Sequence, residues 1–254
     1  MSNCVLVERR GPVQVITMNR PEAKNAINRE LSLGVAAALD LLDADPELSI
    51  GVLTGAGGAF SAGMDLKAFL AGEDARPDGR GLAGICRQTP AKPVIAAVEG
   101  WALAGGCEVA LACDLVVAGD DAKFGIPEVR RGLIAGDGGL LRLARRLPPA
   151  IAMELALTGQ PITATDAQRH GLINRVVPAG TALEVAVELA AVIAGNAPIA
   201  IAASRKIVLS ALDQDIASGM LQQDELLNRA MASDDAAEGA RAFAEKRQPT
   251  WTGR

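Results

Sequence analysis

The chain has 254 residues, half of them apolar and 22% charged, the make-up of a globular protein built as one large body or a core with an appendage. Aromatic residues are only 2%, with no Tyr, which argues against a base-stacking nucleic-acid binder, and a net charge of −5 without a basic run offers no obvious surface to a duplex or an anionic membrane. Cys4, Cys86, Cys107 and Cys113 are scattered without a CxxC or metal-like spacing, no charged-then-apolar leader pattern is visible, and no unbroken apolar run reaches bilayer width, so a cytoplasmic chain with reduced thiols is expected.

In chain order, residues 4–8 and 13–18 around Arg10-Gly11-Pro12 predict an opening β-hairpin. A loop over 19–27 leads to Asn28 as N-cap of a helix over 29–43, with Leu31, Val35, Leu39 and Leu42 on one face. Residues 50–54 predict a buried strand that empties into a glycine-rich turn and a short helix. The stretch 71–81 has almost no apolar content and predicts a mobile surface loop suited to a lid, followed by a short helix ending near Gln88. Residues 93–98 return to the sheet, then come a glycine turn, an apolar helix opening near Gly105, and a strand over 115–118. Residues 123–134 read as irregular, and a second glycine cluster, Gly136-Asp137-Gly138-Gly139, precedes a helix over 140–147. Beyond it the pattern is helical over 151–157, 164–170, 181–194, 198–212, 215–231 and, capped by Ser233, 235–245, with a short strand at 174–177. Strand, glycine turn and helix recur, which predicts α/β layers over residues 1–195 and a helical region over 196–254.

The chemistry gathers at Val98-Glu99-Gly100-Trp101-Ala102-Leu103-Ala104-Gly105-Gly106-Cys107-Glu108. Paired glycines allow close backbone approach where a helix leaves its first N–H groups unpaired. One turn later Glu108 is the only charge between Gly100 and Asp114. On a buried helix such a carboxylate needs a partner or a raised pKa. Two readings stand: oxyanion donors beside a tuned carboxyl, or close packing with Glu108 turned to solvent. A second glycine turn around Gly63 offers another amide, and such donors contribute roughly 3 kcal/mol apiece to a transition state. Glu128 follows Pro127 in an apolar run and is a candidate second acid/base. Beside Arg130 and Arg131, Glu128 alone reads more readily as a surface ion pair. His170, the one histidine, sits before Gly171 and reads as a helix end rather than a catalyst.

Several ordered motifs then carry a resemblance over nearly the whole chain. Asn19-Arg20-Pro21-Glu22-Ala23-Lys24-Asn25-Ala26, Ala59-Phe60-Ser61-Ala62-Gly63-Met64-Asp65-Leu66, Lys92-Pro93-Val94-Ile95-Ala96, Gly105-Gly106-Cys107-Glu108-Val109-Ala110, Phe124-Gly125-Ile126-Pro127-Glu128 and Ala242-Phe243-Ala244-Glu245-Lys246-Arg247 together resemble the crotonase (enoyl-CoA hydratase/isomerase) superfamily. The resemblance implies an α/β crotonase-like fold of repeated ββα units with a helical C-terminal trimerisation region, assembled as a homotrimer or a hexamer of paired trimers. It places the oxyanion-hole amides on Met64 and Gly105, and the two catalytic glutamates of hydratases on Glu108 and Glu128. It runs the CoA part of an acyl-CoA thioester substrate along Lys24, Ala26, Ala62, Asp65 and Leu66, with Phe243 and Lys246 completing the pocket, in one version from a neighbouring subunit. Hydration of a 2-enoyl-CoA is the implied reaction, with no metal or redox cofactor. Double-bond isomerisation, carnitinyl-CoA dehydration and non-catalytic acyl-CoA binding are the alternatives. A two-carboxylate glycosidase is disfavoured by the lack of aromatic sugar platforms. The acyl pocket is expected from residues 68–87 and from around Leu133 and Leu140. Asp137 departs from the small residue common in hydratases, and the tail resembles that of carnitinyl-CoA dehydratases. Its two readings are a carboxylate beside the acyl pocket and, favoured here, an N-cap for the helix that follows.

Overall fold

The structure is a computed structural model that describes residues 3–77 and 79–254, so position 78 of the expected lid loop lies outside the described residues. The chain runs β1 (Val5–Arg10), β2 (Val13–Met18), α1 (Arg29–Ala44), β3 (Ile50–Gly55), α2 (Leu66–Leu70), β4 (Val94–Val98), β5 (Trp101–Leu103), α3 (Gly105–Ala112), β6 (Leu115–Gly119) and β7 (Lys123–Gly125). It continues through α4 (Gly139–Arg146), α5 (Pro149–Thr158), β8 (Ile162–Thr163), α6 (Ala164–Arg169), β9 (Arg175–Val177), α7 (Ala182–Ala194), α8 (Pro198–Ser210), α9 (Ile216–Met231) and α10 (Asp234–Glu245). It divides into two compact units, Met1–Ala190 and Ala191–Arg254.

The first unit is built on two sheets. The larger has the order β1-β2-β3-β4-β6-β9, parallel throughout except for the β1–β2 hairpin, and the smaller has the order β5-β7-β8. Each ββα step sends its first strand to the large sheet and its second to the small one: β4 then β5 before α3, β6 then β7 before α4. Ser61 forms a parallel bridge to Ala102, so the segment after β3 reaches the small sheet in the same way. Parallel strands covered on both faces need apolar side chains on both, and all five residues of β4 are buried. The edge strand β1 is largely exposed.

Helix α1 shows the 3.6-residue logic in full. Asn28 accepts from the Leu31 N–H at 3.0 Å, and Leu31, Val35, Leu39 and Leu42 are buried. Lys92 Nζ closes its far end by donating to the carbonyls of Leu42 and Asp45 at 2.7 and 2.6 Å. Three readings of the sequence are corrected. Residues 123–134 are ordered as β7 and a 3₁₀ helix over Pro127–Arg131. The turn before Gly105 contains β5. The helix expected before Gln88 shrinks to a 3₁₀ turn over Leu82–Gly84, because Gly81, Ala83 and Gly84 all take positive φ, which an α-helix cannot continue through.

The second unit consists of the end of α7 with α8, α9 and α10. Its C-terminal tail is pinned by the buried Asp235, which accepts from the amides of Thr252 and Gly253 at 2.7 and 3.0 Å. No single helix among the described residues is long and apolar enough to cross a membrane.

Candidate active site

Helix α3 is buried along its whole length, so Glu108 cannot reach bulk water from its outer face. Its side chain lines a cavity of about 320 Å³, the size of a small-ligand site, together with Glu128, Met64 and Gly105. Glu108 is 3% exposed, and its Oε1 accepts the amides of Asp137 and Gly139 at 2.8 and 2.9 Å. Burial pushes its pKa up, the two amides pull it back, and the Asp137 charge pushes it up again. A Cβ on residue 139 would stand 2.7 Å from Glu108 Cγ, so glycine is what lets this amide reach the carboxylate.

Glu128 stands on the 3₁₀ helix that leaves β7, half-buried. Its Oε2 is buried with no hydrogen-bond partner among the described residues. Burial, helped by the Glu108 charge, raises its pKa to about 7. The surface ion pair with Arg130 or Arg131 does not form among the described residues. Two carboxyls of different setting therefore face one cavity, one fixed by amides and one bare.

The two glycine turns meet beside them. Gly63 takes φ 97°, and a Cβ there would lie 2.9 Å from the Gly105 nitrogen. Ser61 Oγ holds this turn by accepting from the Gly63 N–H at 3.1 Å and donating to the Asn25 carbonyl at 2.8 Å. Ile27 bonds to Gly63 and Asp65 on either side of Met64, which turns the Met64 N–H away from Ile27. Gly105 is the first residue of α3, where an N–H has no intrahelical acceptor. Neither amide donates to a protein group among the described residues, and both residues line the cavity.

The profile of the enoyl-CoA hydratase/isomerase family matches residues 8–254. The chain belongs to that family. It is 42% identical, over the whole of both chains, to carnitinyl-CoA dehydratase of Salmonella heidelberg. It is also 54% identical to an enoyl-CoA hydratase from Mycobacterium marinum, whose crystal structure matches with a TM-score of 0.97 and full coverage of both chains. A carnitinyl-CoA hydratase from Mycobacterium avium matches at 48% identity, TM-score 0.80, again over both full chains. The crotonase fold and the ββα organisation are thereby shown. The family's chemistry makes this chain a lyase-type hydratase or dehydratase.

Of the residues singled out in the sequence, the crotonase cavity gathers Ala62, Met64, Leu66, Gly105, Glu108 and Glu128. Lys24 lies next to it, its Nζ 3.8 Å over the ring of the cavity-lining Trp101. Ala26 and Asp65 do not line it. Asp65 is spent locally: it caps α2 through the amides of Lys67 and Ala68 and pairs with Arg20 at 3.0 Å. Phe243 and Lys246 lie in the second unit, on α10 and at its C-cap, both exposed. Of the residues expected around an acyl chain, Phe69, Leu82 and Leu133 line the cavity, while Leu140 stays outside the lining.

Asp137 is not the expected N-cap. Gly138 occupies that position without a side-chain cap, and the Asp137 carboxylate is instead paired with Arg76 and Arg87. The sequence reading missed Trp101 and Arg131 as lining residues, and it covered Arg76 only as one position of the loop over 68–87. Nothing in the composition of the loop separates Arg76 from Arg80, whose guanidinium goes to Asp40 and the Gly84 carbonyl. Only the fold makes that distinction.

Proposed function

We propose that the protein hydrates the 2,3 double bond of a 2-enoyl-CoA thioester. The observation that carries this reading is the meeting, in one cavity, of two undirected amides and two carboxyls, one of them with a buried unpartnered oxygen. Glu108, oriented by the Asp137 and Gly139 amides, takes a proton from water as its oxygen bonds to the β carbon. The π electrons move onto the thioester oxygen, where the Met64 and Gly105 N–H groups and the α3 dipole stabilise the enolate more than the neutral substrate. The α carbon then takes its proton from Glu128, whose pKa of about 7 leaves it substantially protonated at neutral pH. Solvent returns the proton balance between the two. This chemistry calls on no metal and no redox cofactor.

The CoA part is proposed to run past Lys24, Ala26, Ala62, Asp65 and Leu66. Phe243 and Lys246 are proposed to complete the pocket of a neighbouring subunit in a trimer or a pair of trimers. Carnitinyl-CoA dehydration is the second reading, favoured by the full-length likeness to carnitinyl-CoA dehydratases. Against it stands Asp137, whose two oxygens are both engaged by guanidiniums and so are not free to neutralise a trimethylammonium group. The deciding experiment offers crotonyl-CoA and its trimethylammonium-bearing counterpart in ¹⁸O water and weighs the products. Labelled 3-hydroxyacyl-CoA formed faster from the uncharged substrate supports the hydratase reading. Preference for the cationic substrate overturns it in favour of the second.

A further inference from the structure

Asp137 is 2% exposed, yet it is not a cap and it is not free for a ligand. Its Oδ2 accepts from Arg76 Nε at 2.7 Å and its Oδ1 from Arg87 Nε at 3.1 Å. Its carbonyl accepts from Arg142 Nη1 at 3.0 Å, and its N–H donates to Glu108 Oε1 at 2.8 Å. The same arginines fasten the surroundings: Arg87 Nη2 donates to the Gly136 carbonyl at 3.0 Å, and Arg142 Nη2 to the Cys86 carbonyl at 2.7 Å. Every polar group of one residue is thus used to join the segment carrying Arg76 and Arg87, the turn at 136–139, helix α4 and Glu108.

Building on the proposed hydratase reading, we propose that Asp137, clamped by Arg76 and Arg87, is a positioning residue that fixes the Glu108 carboxylate toward the reacting atoms. The logic is geometric. A turn whose amides must converge on a carboxylate is pulled inward by that negative charge, and α4 holds only its last residues, Gly138 as N-cap and Gly139 as first helical residue. Gly138, at φ 91°, bends the chain so that the Asp137 and Gly139 amides aim at Glu108. The two ion pairs then anchor the turn from the opposite side. Asp137 is the buried member of both pairs while the guanidiniums of Arg76 and Arg87 reach solvent, so loss of an arginine leaves a buried carboxylate less compensated. The clamp also places a carboxylate and a guanidinium, Arg76, in the field of Glu108 with opposite effects on its proton affinity. The other charged or titratable groups around Glu108 among the described residues include Glu128 and Arg131 on the 3₁₀ helix, Arg142 on α4, and the buried thiols of Cys86 and Cys107.

Two single variants separate positioning from mere support. Asp137→Asn removes a negative charge and leaves Arg76 unpaired, so Glu108 should titrate at lower pH. Arg76→Gln leaves Asp137 less compensated, so Glu108 should titrate at higher pH, and Arg76→Lys should restore it towards the wild type. The titration is read directly from the Glu108 carboxyl ¹³C signal, assigned by its loss in Glu108→Gln. It is also read from the acid limb of kcat for crotonyl-CoA hydration. In Asp137→Asn, kcat should fall about 10- to 100-fold with KM little changed, as a misoriented catalytic group requires. Shifts of Glu108 in the same direction, or no shift, in folded variants overturn the inference. So does a kcat that tracks only the loss of melting temperature. The carboxyl titration needs no turnover, so an enzyme inactive on crotonyl-CoA would sink the hydratase reading while still testing this one.

Discussion

Glu128 shows how a single atom sets up a site. An oxygen without a donor, inside the protein, is a cost that folding has not relieved, and it falls on the charged form. A carboxyl whose folded-state pKa stands above its unfolded value holds its proton more tightly when folded. Its contribution is therefore most favourable below about 4.5 and is lost as the pH rises towards about 7. Glu128→Gln removes that titration. The melting temperature of the variant minus that of the wild type should rise between pH 5 and pH 8, read by calorimetry in matched buffers. A pH-independent difference would show that Glu128 is not destabilised by its charge. At this scale Glu108 was legible as a candidate, a lone charge in an apolar run, and the structure decides for the buried of its two readings. Asp137 was not. Capping is a local rule, but its partners Arg76 and Arg87 lie 61 and 50 residues away, and no local pattern reports them.

The elements carry their own strain. Ala104, the residue before α3, takes φ 51° and ψ −129°, a conformation that favours glycine, and it directs the Gly105 N–H that follows. Ala104→Gly should relieve that strain and raise unfolding stability by about 1 kcal/mol, after the entropic cost of glycine is subtracted, as measured by urea titration. A loss of stability would mean that the Ala104 side chain contributes more by packing than the backbone loses in strain. The long elements were legible because α1 repeats its apolar face over about three turns and β4 is buried on both sides. The three-residue strands β5 and β7 offer too few residues to show a period, and only their pairing within the small sheet reveals them. They are also the strands that lead into the two glutamate-bearing segments, so the part of the site hardest to read was its support.

At the scale of the molecule, α/β layering followed from recurrent strand–turn–helix units, and the split into two sheets emerged only with the structure. The second unit leaves Val208, Leu212, Ile216 and Leu221 exposed on α8, α9 and the turn between them. Exposed apolar side chains in such number mark contact surfaces. Sedimentation equilibrium should find three or six chains together, and Ile216→Glu combined with Leu221→Glu should shift the protein towards monomers. A wild-type monomer at micromolar concentration would exclude the proposed assembly and, with it, any contribution of Phe243 and Lys246 from a neighbour.

The central claim is that Glu108 and Glu128 act together on an enoyl thioester held by the Met64 and Gly105 amides. It is tested most directly by the loss of the conjugated enoyl absorbance of crotonyl-CoA in the wild type, Glu108→Gln and Glu128→Gln. The wild type should consume the substrate, and each variant should be slowed about 10²- to 10⁴-fold while acyl-CoA still raises its melting temperature. Turnover that survives either substitution in a folded, ligand-binding variant would contradict the account.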